Sequence, residues 1–165
     1  MTDSFDPRLS EILRDALEHH GDAISWAFYA RLGERRLSTT QCEDCGALSF
    51  PPRGHCPACA SADASRGRNV RWVDLSGRGR LHAFTQLERA YFFTKPDVIG
   101  LVDLEEGCGR VLSRIVAPIE GLRIGQPMQV DFLELPGGLV LHQFLPDHAH
   151  EDAGGSPPRR KIVET

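Results

Sequence analysis

A chain of 165 residues, 41% apolar with a net charge of −4, can bury one core or two small modules that share one. The acidic total argues against a nucleic-acid binder, and no apolar run approaches the ~20 residues of a membrane-spanning helix. Met1-Thr2-Asp3-Ser4-Phe5-Asp6 has neither a basic region nor an apolar stretch, so no secretory signal is expected, and the clustered thiols suit a reducing cytoplasm.

Asp6-Pro7 opens the first predicted helix, because aspartate caps well and proline is pre-shaped for a first turn. Leu9, Ile12, Leu13, Ala16 and Leu17 then form one apolar stripe, with Glu11, Arg14, Asp15 and Glu18 opposite. Gly21 should end that helix just after His19-His20. A second helix, about 23 to 32, carries Trp26, Phe28 and Tyr29 and closes at Gly33. Two such helices are too small to fold alone. Residues 1–36 are therefore expected to bury their stripes elsewhere, in part on another chain, with Leu13, Leu17, Trp26, Phe28 and Tyr29 as the candidate partner interface.

Residues 37–68 hold the most specific pattern. Cys42, Cys45, Cys56 and Cys59 form two Cys-x-x-Cys pairs separated by ten residues, and take four of the five cysteines. Two intervening residues let both thiolates of a knuckle face one centre, and two knuckles make the tetrahedral sulfur cage that zinc prefers. Gly46 follows the first pair, where a positive φ helps the turn. The ten-residue link should pass through a short hairpin at Phe50-Pro51-Pro52. Disulfides or free thiols are the plain alternative; a redox motif needs only one pair in a βαβ setting. The expectation is a rubredoxin-like zinc ribbon with structural Zn2+, since four thiolates leave no open position for water.

Residues 69–147 read as strands. Asn69 to Leu75 alternates, Ser76-Gly77-Arg78-Gly79 is a turn, and strands follow at 80–87, 97–104, 110–116, 128–135 and 139–144. Five short strands with one longer excursion after the third predict a small oligonucleotide/oligosaccharide-binding (OB) barrel, with a single turn at 118–122 where a helix is usual. The fold class is thus mainly β, with N-terminal helices, and 148–165 reads as a flexible tail. Seven basic residues, Arg66, Arg68, Arg71, Arg78, Arg80, Arg89 and Lys95, contrast with the acidic 101–151 segment and suit a compact anionic ligand. Between the first two barrel strands, Tyr91, Phe92 and Phe93 stand in a row. Neighbouring positions face opposite ways, so some of them should line a pocket or a subunit contact.

Taken in order, Cys-x-x-Cys-Gly, Phe50-Pro51-Pro52-Arg53, Cys56-Pro57-Ala58-Cys59, Trp72, the 76–79 turn, Val102-Asp103-Leu104-Glu105-Glu106-Gly107 and Ile124-Gly125-Gln126-Pro127-Met128-Gln129-Val130 resemble the zinc-ribbon/OB-fold proteins associated with acyl-CoA metabolism. The likeness runs from about Phe28 to Pro146. It implies a non-catalytic accessory subunit of a thiolase-superfamily enzyme, a thiolase, acyltransferase or aldolase acting on carbon–carbon bonds in lipid or aromatic-acid degradation. Such a chain would work in a hetero-oligomer, read as a heterotetramer, that binds a coenzyme A thioester. Under that resemblance the aromatic loop contributes to the acyl passage, and Arg53, Arg66, Arg68, Arg71 and Arg78 are candidates for the CoA phosphates, which guanidinium groups bind bidentately. Pro96-Asp97 replaces the usual Pro-Tyr, and the ending Gln143-Phe144-Leu145-Pro146 lacks the usual first proline.

An independent active site is not expected. Cys108 sits on an acidic turn that raises its thiol, and His55, His82 and His142 read as structural. Two other readings stand beside the accessory subunit. One is a single-stranded nucleic-acid binder, which needs basic and aromatic strand faces; here the strands carry Asp103, Asp131 and Glu134. The other is a scaffold that bridges enzymes without touching the ligand.

Overall fold

A computed structural model describes residues 8–63, 66–88 and 97–147. The expected helix start at Asp6-Pro7, the aromatics Tyr91, Phe92 and Phe93, and the tail from His148 lie outside the described residues.

Helix α1 (Leu9–His20) buries Leu9 and Leu17 but leaves Ile12 exposed, so only part of its stripe is covered. Arg14 donates from Nη2 to the Gly137 carbonyl at 2.5 Å and ties the helix to the barrel's last turn. Gly21 does end α1, for a different reason than expected. Its φ is −72°, ordinary for any residue, but a Cβ there would lie 2.4 Å from the Leu17 carbonyl oxygen. Helix α2 (Ala23–Gly33) is capped by Asp22, which accepts from the Ser25 N–H and hydroxyl, both at 2.8 Å. Those bonds, the backbone one first, hold its carboxyl below the usual range.

The ribbon comprises β1 (Ser38–Cys42), β2 (Leu48–Ser49), a short helix α3 (Pro57–Ala62) and β3 (Val70–Asp74), with sheet order β2-β1-β3. Strand β3 pairs antiparallel with β1 from Ser38↔Asp74 to Cys42↔Val70. The expected boundary at 69 therefore cuts the ribbon, because β3 belongs to its sheet and not to the barrel. Alternation marks a strand without saying which neighbour it bonds. The link at 46–55 keeps only two strand residues before its Pro-Pro loop, and α3 forms within the second knuckle, with Pro57 in its first turn.

Strands β4 (Arg78–Leu87), β5 (Asp97–Leu104), β6 (Arg110–Ile115), β7 (Pro127–Glu134) and β8 (Val140–Pro146) close a barrel in the order β4-β5-β6-β8-β7. Strand β4 pairs with β7 to shut it, and β6 runs parallel to β8. A 3-10 turn at Ile119–Gly121 stands where a helix is usual. One core spans the modules: Leu32 of α2 and Leu37 of the ribbon entry are buried with Leu81, Val102, Val111, Ile115, Met128 and Phe144 of the barrel. Phe28, Tyr29 and Phe50 pack against it. Helix α2 thus buries Leu32 and packs Phe28 and Tyr29 within the same chain, and leaves Trp26 exposed.

Candidate metal centre and the adjoining pocket

Cys42 ends β1, Cys45 sits in the following turn, Cys56 caps α3 and Cys59 lies inside it. Their four sulfurs lie within 4.8 Å of one another, with Cys42–Cys59 at 3.9 Å and Cys45–Cys56 at 3.7 Å. A tetrahedron with zinc–sulfur bonds of about 2.3 Å has edges of about 3.8 Å. Both separations match such an edge, so the four residues fit zinc. Their thiols pull against each other: the Cys59 N–H holds Cys56 down at about 7, while contact with Cys45, then burial, pushes Cys59 up to about 12. A bound cation would offset the charge of the thiolates that hold it. When bound, the ion supplies a structural cross-link between the two knuckles.

Gly46 has φ +75°, as the first knuckle requires, and its N–H bonds the Cys42 carbonyl. The second knuckle needs no glycine because α3 continues through Ala60. A different glycine holds the two together, and the sequence reading passed over it. Gly67 accepts from the Cys56 N–H at 2.8 Å and donates to Asp44 Oδ2 at 2.7 Å. At φ +73°, a Cβ there would sit 2.8 Å from the Cβ of Cys59.

The candidate arginines are exposed and distributed. Arg53 lies in the Pro-Pro loop, where its backbone N–H and carbonyl both meet the Thr40 hydroxyl. Arg66 and Arg68 follow α3, and Arg71, on β3, donates to the Gln41 side chain. Arg78 borders a cleft of about 140 Å³ with Arg80 and Glu105. Of the candidate interface, Leu17 is buried within the chain, Leu13 is half-buried, and Trp26 is 46% exposed on α2.

Phe28 and Tyr29 instead roof a pocket of about 430 Å³ between α2 and strands β5 to β8. Ile99, Leu112, Leu133 and Leu141 make it apolar. Its floor is a polar chain. Arg114 donates from Nε to both Asp97 oxygens at 2.9 and 3.1 Å and from Nη1 to Gln143, whose amide donates to Asp131 at 2.7 Å. Asp97 marks the departure from the family's Pro-Tyr, a signal that could have drawn attention here. Elsewhere, His82 contacts Asp103 at 2.8 Å beside Arg110, and His55 is exposed. Cys108 is buried, which with Glu106 pushes its thiol up.

Comparison with known proteins finds a ribbon domain and a barrel domain. Residues 30–64 match the ChsH2 rubredoxin-like zinc ribbon domain and residues 72–133 the ChsH2 C-terminal OB-fold domain. A DUF35 domain-containing scaffold protein of Methanothermobacter thermautotrophicus is 32% identical over 100 residues, 58% of this chain and 71% of that protein. The chain belongs to the ChsH2/DUF35 family. A probable enoyl-CoA hydratase alpha subunit of Thermomonospora curvata is 30% identical over 122 residues, 73% of this ChsH2/DUF35 chain. The chain spans only 36% of that relative's length. Among solved structures, a chain of the Ltp2-ChsH2(DUF35) aldolase superposes with a TM-score of 0.66 at 26% identity, covering 76% of this chain and 95% of that one. A DUF35-family protein from Sulfolobus solfataricus, 14% identical with a TM-score of 0.54 over 84% of this chain and 96% of that one, shares the fold.

Proposed function

We propose that this chain is a zinc-containing accessory subunit that pairs with a larger thiolase-superfamily or aldolase-like enzyme and helps to hold its acyl-CoA thioester. The observation that carries this reading is the likeness to a chain of the Ltp2-ChsH2(DUF35) aldolase across 95% of that chain. Chemistry within the chain supports the same division of labour. A closed four-sulfur cage offers zinc no substrate position. Cys108 is buried beside an acid, the reverse of an activated nucleophile. Ser113 meets His142 Nδ1 at 2.9 Å, but its hydroxyl also lies 3.1 Å from the His142 carbonyl, which can only accept. The hydroxyl is thus shared with the barrel backbone and is not aimed at the ring alone. Exposed arginines on the ribbon and at Arg78 suit the CoA phosphates, and Trp26 with Leu13 offers apolar surface to a partner.

The test is co-expression with a thiolase-fold or aldolase-like chain from the same source organism. A stable hetero-oligomer on size-exclusion chromatography, with acyl-CoA cleavage or condensation only when both chains are present, is expected. Replacing Arg66, Arg68 and Arg78 together by glutamate should then raise the KM for the CoA substrate about three- to tenfold, the range for exposed charge pairs reversed in a group. A chain that stays alone and shows no CoA affinity by calorimetry sinks the reading.

A further inference from the structure

We propose that the pocket under α2, lined by described residues of this chain, is a binding site for a neutral and largely apolar small molecule whose hydrogen-bond donor is accepted by His142. The class of ligand is an alcohol, phenol or amide on a hydrocarbon body. It stands apart from the arginines proposed above for the CoA phosphates and needs no partner enzyme.

Shape comes first. A volume of about 430 Å³ falls within the ~300–1,000 Å³ of small-molecule sites, and the lining is the usual one, apolar walls with a few convergent polar groups. Leu112 stands 63% exposed on β6 among those walls, apolar surface that the chain leaves uncovered.

Next is polarity. The Ser113 hydroxyl has one proton and two neighbours, the His142 carbonyl and Nδ1. We assign the proton to the carbonyl, which can only accept, so that Nδ1 carries the hydrogen of the other contact. The opposite tautomer would make Nε2 a donor, and the probes below distinguish the two. In the assigned tautomer the ring keeps one free lone pair. Nε2 is then a bare acceptor. It has no hydrogen-bond partner among the described residues, and it is not sealed off, since it is not among their fully buried side-chain atoms that lack a hydrogen bond. His142 lines the pocket, packed edge-on by Phe28 and Phe50 at ring distances of 6.1 and 6.2 Å. Burial pushes its pKa down to about 4, which keeps the ring neutral at physiological pH.

Charge decides between ligand classes. Arg114 is already committed to Asp97 and Gln143, so the floor presents no spare cation to an anionic ligand. A bare imidazole nitrogen repels a carboxylate and accepts from a hydroxyl or amide. The pocket therefore favours a neutral donor over an acid with the same body.

Three probes of one shape test this: 2-naphthol, naphthalene and 2-naphthoate, titrated into the full chain and followed by amide shifts in two-dimensional NMR. Saturable shifts at Ile99, Leu112, Leu133 and Leu141 are expected, with 2-naphthol about five- to tenfold tighter than either analogue, the value of one well-placed hydrogen bond. Leu112→Trp, at an exposed position, should weaken all three. His142→Asn keeps an amide for Ser113 but removes the Nε2 acceptor, and should bring 2-naphthol to the level of naphthalene. Equal affinity of the three probes, shifts that map elsewhere, or no saturable binding overturns the proposal. None of these outcomes depends on whether a partner enzyme is found.

Discussion

Two ring faces and one hydroxyl decide what His142 does. Its ring sits among Phe28, Phe50 and Phe144, and burial alone carries the pKa from 6.5 down to about 4. The native state thus binds fewer protons than the unfolded chain between those values, and stability rises with pH across that window. The contribution of the neutral ring is whole above pH 6.5 and is lost as pH falls toward 4. The shift corresponds to a loss on the order of 3 kcal/mol. Urea unfolding of the wild type from pH 7 to pH 4 should show this slope, and His142→Gln, which cannot titrate, should flatten it. An unchanged slope in the variant would place the proton uptake elsewhere. Gly67 makes a related point about single positions. Nothing in its neighbourhood of Ser65-Arg66-Gly67-Arg68 announces a metal-site residue, yet its backbone clasps both knuckles through Cys56 and Asp44.

Individual elements show how modules that look separate share one interior. Helix α2 has a polar cap at Asp22 that any sequence reading finds, but its stability rests on Leu32, which is fully buried in the barrel core. Leu32→Ala should cost about 2–5 kcal/mol through lost burial and the cavity left behind. Chemical denaturation should register that loss in the barrel as well as in helix content, because the side chain belongs to both. A loss confined to far-UV helicity would mean that α2 docks loosely. Strand β3 is the second instance. Its five residues complete the ribbon sheet through β1, while Asp74 at its end accepts from Ser38 at 2.6 Å and lies 3.7 Å from Arg31 of α2. Arg31 also stacks over Trp72 at 4.7 Å, so one strand locks helix to ribbon.

At the scale of the whole molecule, zinc acts at a distance. The sulfur cage lies outside the main core, but the ribbon reaches that core through Leu37, Leu48 and Phe50, and the Phe50 N–H bonds the Cys108 carbonyl between two barrel strands. Removing the metal would take away the cross-link that joins the two knuckles. Stripping zinc with a strong chelator should therefore lower the melting temperature of the barrel along with that of the ribbon, in one transition, and added zinc should restore it at one equivalent. Two separated transitions, the barrel's unmoved, would show that the modules are energetically independent. No described helix is long and apolar enough to cross a membrane.

The zinc ribbon and the barrel were legible in the chain because both are written in local spacing. Two Cys-x-x-Cys pairs bring four sulfurs to one point, and period-two alternation delivered the five barrel strands to within two residues at each end. What needed the tertiary structure was every relation between residues far apart in sequence. The partner of β3, the burial of α2 on its own barrel, and the chain of Asp97, Arg114, Gln143 and Asp131 beneath the pocket come from strand register and barrel closure. The side-chain bonds that follow join residues 12 to 36 positions apart, and no short window of sequence carries the energy that selects them.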